Sequence, residues 1–368
     1  MKSASRLKTD EYYMKMALSL AMRGTGFTSP NPRVGCVIVR DGRILGKGWH
    51  RIYGGPHAEV NAVRDAGGDV SGATAYVSLE PCCHYGKTPP CADMLIQSGI
   101  SRVVAGITDP NPVVDCKGLE LLKSSGIEVV TGILENECRW INRGFIRRIK
   151  SHRPWVTLKI AASLDGDIAL GDGSGKWITG AESREKVHML RASSDAVLTG
   201  IGTILADDPE LTVRNAPGKT PIRAVLDSML QTPESSKILK NGNVIFFVSP
   251  GAPHGKIKRF TDLGAEVEVI DASREKQLEF VLDKLCQKGV NYLMVEAGAK
   301  VTSSFLSCGY ADELSLFTAP KFMGAGLHCT QYIDLPDMDS SITVENVKSS
   351  FCGGDLWIRG VFSCSQDL

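Results

Sequence analysis

The chain contains His57-Ala58-Glu59 and, further along, Pro81-Cys82-Cys83-His84-Tyr85-Gly86-Lys87-Thr88-Pro89-Pro90-Cys91. We expect a helix to begin at His57 and another at Cys91, because two prolines before Cys91 fit a helix start. Residues 74–79 precede Pro81 and predict a strand. The junctions of helices and a strand therefore carry one imidazole, two thiols and one carboxylate.

The elements around these stretches alternate between strand and helix. Asp10 is a plausible N-cap for a helix with Met14, Ala17, Leu18 and Ala21 on one face, ended by Gly24 and Gly26. Asp41-Gly42 predicts a hairpin between strands at 34–40 and 43–48. We further expect helices at 91–98 and 119–125, strands at 102–107 and 127–130, and a closing helix at 135–149 with Trp140, Ile141, Phe145 and Ile149 inward. This order predicts a layered α/β domain with mostly parallel pairing after the hairpin.

A domain boundary is expected at Ser151-His152-Arg153-Pro154, a short polar piece with a proline that a helix does not tolerate. The chain length of 368 residues fits two domains, 1–150 and 151–368. The second half predicts another α/β alternation. Its expected strands are 155–162, 196–200, 222–227, 244–249, 267–270, 292–295, 314–319 and 356–361, and its expected helices are 182–192, 275–287 and 301–307.

Composition narrows the classes of function. The formal net charge is +1, whereas nucleic-acid binders usually carry a visible basic excess. No apolar run approaches the length of a membrane span, and residues 1–10 lack the apolar stretch of a signal peptide. Eleven cysteines without framework spacing indicate reduced thiols. We therefore expect a cytoplasmic protein with neither a nucleic-acid nor a membrane partner.

His57, Cys82 and Cys91 predict a catalytic zinc site. Zinc takes nitrogen and thiolate ligands tetrahedrally, and a catalytic zinc keeps one position for water. Zinc lowers the pKa of that water to about 7. Glu59, two residues beyond His57, can reach the water and move its proton. A helix start at Cys91 favours the thiolate.

Three other interpretations stay open at this point. The cluster can be a structural zinc site with Cys83 or His84 as a fourth ligand. The cysteines can be buried apolar residues, and His57 can simply cap a helix. A structural site has no need of Glu59, and adjacent side chains at a strand end point to opposite faces, so only one of Cys82 and Cys83 is expected to face a metal.

Longer motifs resemble a known family. His57-Ala58-Glu59 with Pro81-Cys82 and Cys91 follows the H-x-E and P-C-x-x-C signature of nucleobase deaminases, with a longer loop between the cysteines. Together with Asn31-Pro32-x-Val34-Gly35 and Asp109-Pro110-Asn111-Pro112, it closely resembles the bifunctional riboflavin-biosynthesis deaminase–reductase family. The resemblance covers nearly the whole chain. It implies a cytidine-deaminase-like first domain that removes the 2-amino group from a 5-phosphoribosylamino pyrimidine, with one zinc per chain.

By position, the resemblance makes His57, Cys82 and Cys91 the zinc ligands and Glu59 the proton shuttle. It also implies that Asn31, His50 and Lys87 contact the pyrimidine or its phosphate, which suits an amide and an ammonium. Without it, His50 is an exposed strand end and Lys87 a solvated loop charge. Cys116 stands where the family usually has glycine, which puts the local turn in doubt.

Five motifs in the second half resemble the family's reductase domain, which is folded like dihydrofolate reductase. They are Lys159 to Gly166, Trp177-Ile178-Thr179, Thr203 to Pro209, Leu211-Thr212-x-Arg214 and Val295-Glu296-Ala297-Gly298. The resemblance implies reduction of the ribosyl group to ribityl with NADPH, and self-association through this domain. The ordinary Gly-x-Gly-x-x-Gly pattern is absent, because Leu205 occupies the third glycine's place.

The resemblance also implies the ligand contacts of the reductase domain. For NADPH they are Ala161, Trp177, Thr203, Asp207, Ser228 and the run Gly298, Ala299, Lys300, Val301, Thr302, Ser303 and Ser304. For the substrate they are Gly175, Arg191, Leu211, Arg214 and Glu296. The family often has serine at Gly175, so that hydrogen bond is missing or moves to Ser174. Backbone N–H groups after Gly298 can hold a pyrophosphate, although an ordinary strand–helix turn has the same pattern.

Each of these residues also has a simpler interpretation. The guanidinium groups of Arg191 and Arg214 suit a phosphate, but either can be a surface charge. Trp177 can be a core residue. Asp207, or alternatively Lys159, is a candidate to assist proton movement during reduction. Two other functions are alternatives: a nucleic-acid or nucleoside deaminase with an appended reductase-like domain, and a non-enzymatic binding module held together by metal.

Overall fold

The structure is a computed structural model. It describes residues 2–83, 90–111, 116–173, 175 and 177–365, with side chains from Asp10 onward. The chain divides into two compact units, Met1–Ser151 and His152–Leu368. Among the described helices, none is long and apolar enough to cross a membrane.

The first unit is built on a five-stranded sheet in the order β2-β1-β3-β4-β5. Its strands are β1 (Gly35–Arg40), β2 (Arg43–Trp49), β3 (Thr74–Val77), β4 (Arg102–Ala105) and β5 (Glu128–Thr131). Its helices are α1 (Lys2–Ala21), α2 (Ala58–Ala66), α3 (Cys91–Gln97), α4 (Lys117–Ser124), α5 (Glu135–Ile141) and α6 (Arg143–Ser151). The predicted hairpin is confirmed, with Arg40 paired to Arg43. β1 pairs antiparallel with β3, and β3, β4 and β5 are parallel.

The two faces of this sheet pack against helices, and glycines allow the closest approaches. Ile38, Ala75, Val77 and Val103 share a buried core with residues of α2, α3 and α4. A Cβ added at Gly35 of β1 would lie 1.9 Å from the Ala17 carbonyl oxygen of α1. A Cβ added at Gly48 of β2 would lie 2.2 Å from the Ala58 carbonyl oxygen of α2. The first turn of α2, which follows His57, is therefore pressed directly onto β2.

Two expectations about the first unit are wrong. Asp10 is not an N-cap: it lies inside α1, and its buried carboxylate accepts hydrogen bonds from Arg102 at 2.9 Å and from Tyr76 at 2.8 Å. Trp140 does not point inward, because it is 42% exposed and lies against the guanidinium of Arg143.

The predicted closing helix is also divided in two. Asn142 is fully buried between α5 and α6, and its side chain pairs with both the backbone N–H and the carbonyl of Arg33. The interruption places this amide against the backbone that follows Asn31 and Pro32.

The second unit has a nine-stranded sheet in the order β10-β9-β8-β7-β11-β6-β12-β14-β13. Its strands are β6 (Trp155–Ala162), β7 (Ala196–Gly200), β8 (Ile222–Leu226), β9 (Val244–Val248), β10 (Glu266–Val269), β11 (Tyr292–Val295), β12 (Glu313–Thr318), β13 (Val344–Cys352) and β14 (Asp355–Phe362). Its helices are α7 (Ala181–Ala192), α8 (Ile201–Asp207), α9 (His254–Asp262), α10 (Gln277–Gln287) and α11 (Ala299–Ser307). Strands from β10 to β12 are parallel, and β14 pairs antiparallel with both neighbours. The α/β fold class predicted for both halves is confirmed.

The sequence did not predict β13, α8 or α9. β13 forms the edge of the sheet, and seven of its nine residues are exposed, so its sequence lacks the apolar alternation of a half-buried strand. Two buried apolar clusters form the core around this sheet. One includes Val156, Leu198 and Phe305, and the other includes Val197 and Phe246. The parallel strands β6, β7 and β11 end side by side, which is where open α/β sheets hold their ligands.

Candidate active sites

His57, Cys82 and Cys91 meet in the first unit. Nδ1 of His57 lies 3.3 Å from Sγ of Cys91 and 3.5 Å from Sγ of Cys82. The three ligand atoms all lie within 4.8 Å of one another, and Cys91 is buried. Cys83 lies outside this group, and His84 lies outside the described residues. His57 is the N-cap residue of α2, but its side chain makes no capping hydrogen bond, so the capping interpretation is wrong.

The donor set and its spacing fit a tetrahedral zinc. Zn–S bonds of about 2.3 Å and Zn–N bonds of about 2.0–2.1 Å separate neighbouring ligand atoms by roughly 3.5–3.8 Å. The thiols also interact electrostatically. A hydrogen bond from Cys91 lowers the pKa of Cys82 to about 4, and hydrogen bonding to Cys82 raises the pKa of His57. The backbone N–H of Cys91, at the start of α3, donates to the Cys82 sulfur at 3.4 Å. The site therefore favours a thiolate at Cys82.

Glu59 faces the same cavity as His57 and Cys82, a space of about 290 Å³. The side chain is only 3% exposed, and burial raises the pKa of its carboxyl to about 7 although His57 opposes this. A carboxyl group with a pKa near neutrality can both accept and donate a proton at physiological pH. Glu59 thus has the placement and the acidity of a proton-transfer group.

Asn31 and His50 line the cavity together. Nδ1 of His50 lies 3.1 Å from the Pro56 carbonyl, and Nε2 lies 3.2 Å from Nδ2 of Asn31. Because a carbonyl only accepts, Nδ1 carries the hydrogen and Nε2 accepts from the Asn31 amide. Burial lowers the pKa of His50, which favours this neutral ring. His50 is 2% exposed, so the interpretation as an exposed strand end is wrong. Lys87 lies outside the described residues.

Glu80, which precedes Pro81 and Cys82 in the family's motif and to which the sequence assigns no role, is also a residue of this site. Its buried carboxylate lines the cavity and accepts backbone N–H groups of Asp109 at 3.0 Å, Cys116 at 3.2 Å and Gly118 at 3.0 Å. Asp109 and Asn111 also line the cavity. Cys116 has φ 65°, a left-handed conformation that explains the family's glycine at this position. The turn is therefore present although Cys116 replaces the family's glycine, and Glu80 links the backbone at Asp109 to the backbone at Cys116 and Gly118.

The second unit contains a cavity of about 720 Å³ with Glu296 in its wall. Arg191 donates to the Glu296 carboxylate from Nε at 2.9 Å and from Nη2 at 3.0 Å, and Lys159 approaches at 3.2 Å. Burial would raise the pKa of Glu296, but Lys159 and Arg191 outweigh it and lower the pKa to about 2. The charge of Arg191, which the sequence predicts as a phosphate contact, is balanced by Glu296 in this structure.

Leu211 and Arg214 line the same cavity as parts of one irregular segment. Leu211 is 3% exposed with φ 50°, and Arg214 has a largely exposed side chain that reaches Glu210 at 3.2 Å. His188, on α7, also lines the cavity, and its Nδ1 accepts the backbone N–H of Arg214 at 3.3 Å. His188 belongs to none of the sequence motifs, although it lies one turn before Arg191 on the same helix.

Trp177 and Gly175 contribute to the cavity rim. Trp177 is 63% exposed with φ 73°, and the guanidinium of Arg184 lies 4.5 Å from its ring centre. The interpretation of Trp177 as a core residue is therefore wrong. Gly175 has φ 145°, a conformation that strongly favours glycine over the serine frequent in the family. Ser174 lies outside the described residues.

The predicted cofactor contacts separate into two groups. Ala161, Trp177, Thr203, Asp207, Gly298 and Thr302 line the cavity. In the helix that follows Gly298, Ala299 and Ser303 are buried, Val301 packs on the core, and Lys300 and Ser304 are exposed. Ser228 is exposed just after β8, and its carbonyl accepts the N–H of Ser249. Gly298 precedes α11 with extended backbone, so the N–H groups of this helix start lie beside Thr203.

Each of the two units matches a known protein family. The model of the cytidine and deoxycytidylate deaminase zinc-binding region matches residues 7–107, and that of the RibD C-terminal domain matches residues 154–358. The riboflavin biosynthesis protein RibD of Aquifex aeolicus is 43% identical over 350 residues, which cover 95% of this chain and 97% of that protein. The RibD of Escherichia coli is 41% identical over 86% of this chain and 89% of its own length.

The chain belongs to the RibD family. A solved structure of Acinetobacter baumannii RibD superposes with a TM-score of 0.90 at 39% identity, covering 97% of this chain and 99% of that one. The Thermotoga maritima deaminase/reductase structure gives a TM-score of 0.87, also at 39% identity and 97% coverage of this chain.

RibD membership confirms the family and the bifunctional deaminase–reductase function predicted from the motifs. Most residues lining the first cavity lie within the deaminase match, and those lining the second lie within the reductase match. The alternative of a non-enzymatic binding module is thereby wrong. Glu80 and His188 are further residues of the two sites. Each accepts hydrogen bonds from backbone N–H groups, and such contacts cannot be predicted from the spacing of residues in the sequence.

Proposed function

We propose that the first unit holds one zinc ion through Nδ1 of His57 and the sulfurs of Cys82 and Cys91, and deaminates 2,5-diamino-6-(5-phosphoribosylamino)pyrimidin-4-one. The single observation that carries this proposal is the close approach of the three donor atoms beside a buried glutamate. When bound, zinc supplies a water of lowered pKa. Three protein ligands leave room for that water in a tetrahedral site.

The chain's own residues then bind the ring and move protons. Glu59 takes a proton from the attacking water and delivers it first to a ring nitrogen and then to the departing ammonia. The Asn31 side chain, oriented by Nε2 of His50, reads the edge of the pyrimidine. Lys87 meets the phosphate. The cavity excludes bulk water around Glu59, which keeps the proton within the site.

We propose that the second unit binds NADPH and reduces the ribosyl group of the deaminated product to ribityl, giving 5-amino-6-(5-phosphoribitylamino)uracil. When bound, NADPH supplies the hydride. The start of α11 after Gly298 suits its pyrophosphate, and Trp177, Thr203 and Asp207 lie on the same cavity. Arg214 meets the substrate's phosphate, while Glu296, held by Arg191 and Lys159, binds the sugar hydroxyl groups. Asp207 is our candidate to assist the accompanying proton movement.

We also propose that the chain self-associates through the second unit in the cytoplasm. β13 is an edge strand that pairs with β14 on one side, and its Val347 is 56% exposed and its Phe351 79% exposed. Such an edge is a template for another strand, and an antiparallel copy of β13 would cover its own apolar side chains. Light scattering should show an oligomer that a Val347→Lys, Phe351→Lys double variant converts to monomers. A wild-type monomer would contradict this part of the proposal.

Metal content and cobalt spectroscopy test the deaminase proposal. One zinc per chain is expected, and cobalt in its place should give the absorption of a tetrahedral thiolate complex. Cys91→Ser should lose the metal, whereas the matched variant Cys83→Ser should keep it. Glu59→Gln should keep the metal yet release ammonia about 10²–10⁴ times more slowly. Loss of metal in Cys83→Ser would favour a structural four-ligand site instead.

A further inference from the structure

The segment from Asp208 to Asn215 forms one wall of the reductase cavity in an uncommon backbone conformation. Asp208, Leu211 and Asn215 have φ angles of 44°, 50° and 56°. Non-glycine residues rarely adopt this left-handed conformation, and several of them together persist only where the surrounding structure holds them. The sequence Leu211 to Arg214 carries two of the expected substrate contacts, so what holds it decides where they lie.

Two side chains of α7 hold this segment, and they lie three residues apart on one face of the helix. Nη1 of Arg191 donates to the Thr212 carbonyl at 3.2 Å. Nδ1 of His188 accepts the backbone N–H of Arg214 at 3.3 Å. The two bonds reach an acceptor and a donor of the same short stretch, so together they fix both its position and its direction.

The contact with Arg214 determines the state of the His188 ring. A backbone N–H only donates, so Nδ1 is the unprotonated nitrogen and Nε2 carries the hydrogen of a neutral imidazole. Burial, and then the positive charges of Arg191 and Arg214, lower the pKa of His188, which agrees with the neutral form. The half-buried ring lines the cavity beside residues already expected to bind the substrate.

The helix itself does not depend on this contact. At its first turn, Ser183 and the backbone of Gly180 both bond to the carboxylate of Asp355, at 2.5 and 2.7 Å. Val187 packs into the buried cluster beneath the helix. Loss of the His188 ring should therefore leave α7 in place and free only the segment that contains Arg214.

We propose that His188 is a positioning residue of the reductase site, which sets the place of Leu211 and Arg214 by accepting the Arg214 N–H. This inference rests on the proposed reductase function, because it assigns Arg214 to the substrate. His188 acts through the segment and not on the reacting atoms. Its removal should weaken binding of the pyrimidine phosphate while the cofactor and the chemical step are little affected.

Three variants and a control test this role in the full-length protein. His188→Leu removes the acceptor, whereas His188→Asn retains an oxygen near the position of Nδ1. His188→Gln keeps a polar group but shifts it, and replaces the leucine variant if that one does not fold. Met189→Leu, at an exposed neighbour on the same helix, is the matched control. The assay supplies the deaminated pyrimidine phosphate directly and follows NADPH oxidation.

We expect His188→Leu and His188→Gln to raise KM for the pyrimidine about tenfold, the effect of one lost hydrogen bond, with kcat and KM for NADPH within about threefold of wild type. His188→Asn and Met189→Leu should stay within about threefold for all three constants. A KM for the pyrimidine that is unchanged in His188→Leu, or equally raised in His188→Asn, would overturn the proposal.

Hydrogen exchange provides a readout that needs no activity. In the ligand-free protein, the Arg214 amide should exchange slowly in wild type and His188→Asn, and quickly in His188→Leu. Equal protection in all of them would overturn the positioning role. Failure of the wild-type protein to oxidise NADPH with this substrate would instead contradict the proposed function and leave the exchange result to decide the role of His188.

Discussion

Arg191 donates two hydrogen bonds to the carboxylate of Glu296, from Nε at 2.9 Å and from Nη2 at 3.0 Å. This fork places a cation from α7 on the carboxylate that follows β11, and Lys159 of β6 approaches the same group at 3.2 Å. Three elements of the second unit are thereby linked through one partly buried charge. Arg191 is thus committed to Glu296, whereas Arg214 pairs with Glu210 through a side chain that is 55% exposed.

Glu296→Gln should destabilise the second unit by about 3 kcal/mol at pH 7, because it leaves Arg191 and Lys159 with uncompensated charge away from water. The pKa of Glu296 is lowered to about 2, against about 4.3 for an unperturbed glutamate. Its contribution is therefore present above pH 4.3 and is lost as the pH falls through about 2. Scanning calorimetry at pH 7 and near pH 3 should show the variant's deficit shrinking.

The matched control for this charge is Glu234→Gln. Glu234 pairs with Arg259 at 3.1 Å on the surface of the same unit, with both side chains about half exposed or more. Its loss should change stability by less than about 1 kcal/mol at either pH. Equal effects of the two variants, or a Glu296→Gln deficit that does not change with pH, would contradict the role assigned to the buried pair.

Cys116→Gly should raise the free energy of unfolding of the first unit by about 0.5–1 kcal/mol. Cys116 has φ 65°, which is unfavourable for a residue with a Cβ, although the greater freedom of glycine in the unfolded chain offsets part of the gain. Urea unfolding measures the change. Cys116→Ala is the control, since it removes the thiol and keeps the strain. A gain with alanine as large as with glycine would show that the backbone conformation is not the cause.

Gly48→Ala should reduce deamination about tenfold or more and weaken metal retention. An added Cβ would lie 2.2 Å from the Ala58 carbonyl and 2.4 Å from the Ala62 nitrogen, so α2 must move with Glu59 on it. Small displacements of a reacting group lower rates steeply. Gly68→Ala is the control, because nothing lies within 4 Å of its added Cβ. Ammonia release and zinc content should fall in Gly48→Ala and stay at the wild-type level in Gly68→Ala.

The affinity of the reductase site for the pyrimidine phosphate should fall in acid. The pKa of His188 is lowered by burial and by Arg191 and Arg214, with the backbone of Thr212 and then Glu296 acting in the opposite direction. The neutral ring therefore persists below pH 6.5, and protonation at lower pH removes the acceptor for the Arg214 N–H. The same protonation withdraws the stability that the neutral ring contributes. KM measured from pH 8 to pH 5 should rise in wild type and less in His188→Asn.

The parts of the fold that the sequence predicted are those determined by local chemistry. Asp41-Gly42 requires a tight turn, and the strands on either side pair as expected. His57 and Cys91 lie at two helix starts and Cys82 lies in the segment between β3 and the second of them, which limits their possible arrangement. Trp177 and Leu211 were predicted as site residues only from the family's motifs. Their positive φ angles cannot be predicted from composition or periodicity.

The parts that the sequence did not predict depend on contacts between distant residues. Asp10 has the chemistry of an N-cap, but Arg102, 92 residues away, provides a stronger partner inside the fold. Asn142 divides a continuous helical pattern because its amide bonds to the backbone of Arg33, 109 residues earlier. Glu80 and His188 were missed for the same reason, since each binds backbone N–H groups of a segment remote in sequence.

Mass spectrometry of the product tests the central claim that one chain performs two successive reactions at these two sites. The purified protein receives the diaminopyrimidine ribosyl phosphate with and without NADPH. Without NADPH, the product mass should show one amino group replaced by oxygen and no further change. With NADPH, the same product should gain two hydrogens, while Glu59→Gln should leave the substrate unchanged and still reduce an added deaminated pyrimidine. Reduction that precedes loss of the amino group, or deamination by Glu59→Gln at the wild-type rate, would contradict the account.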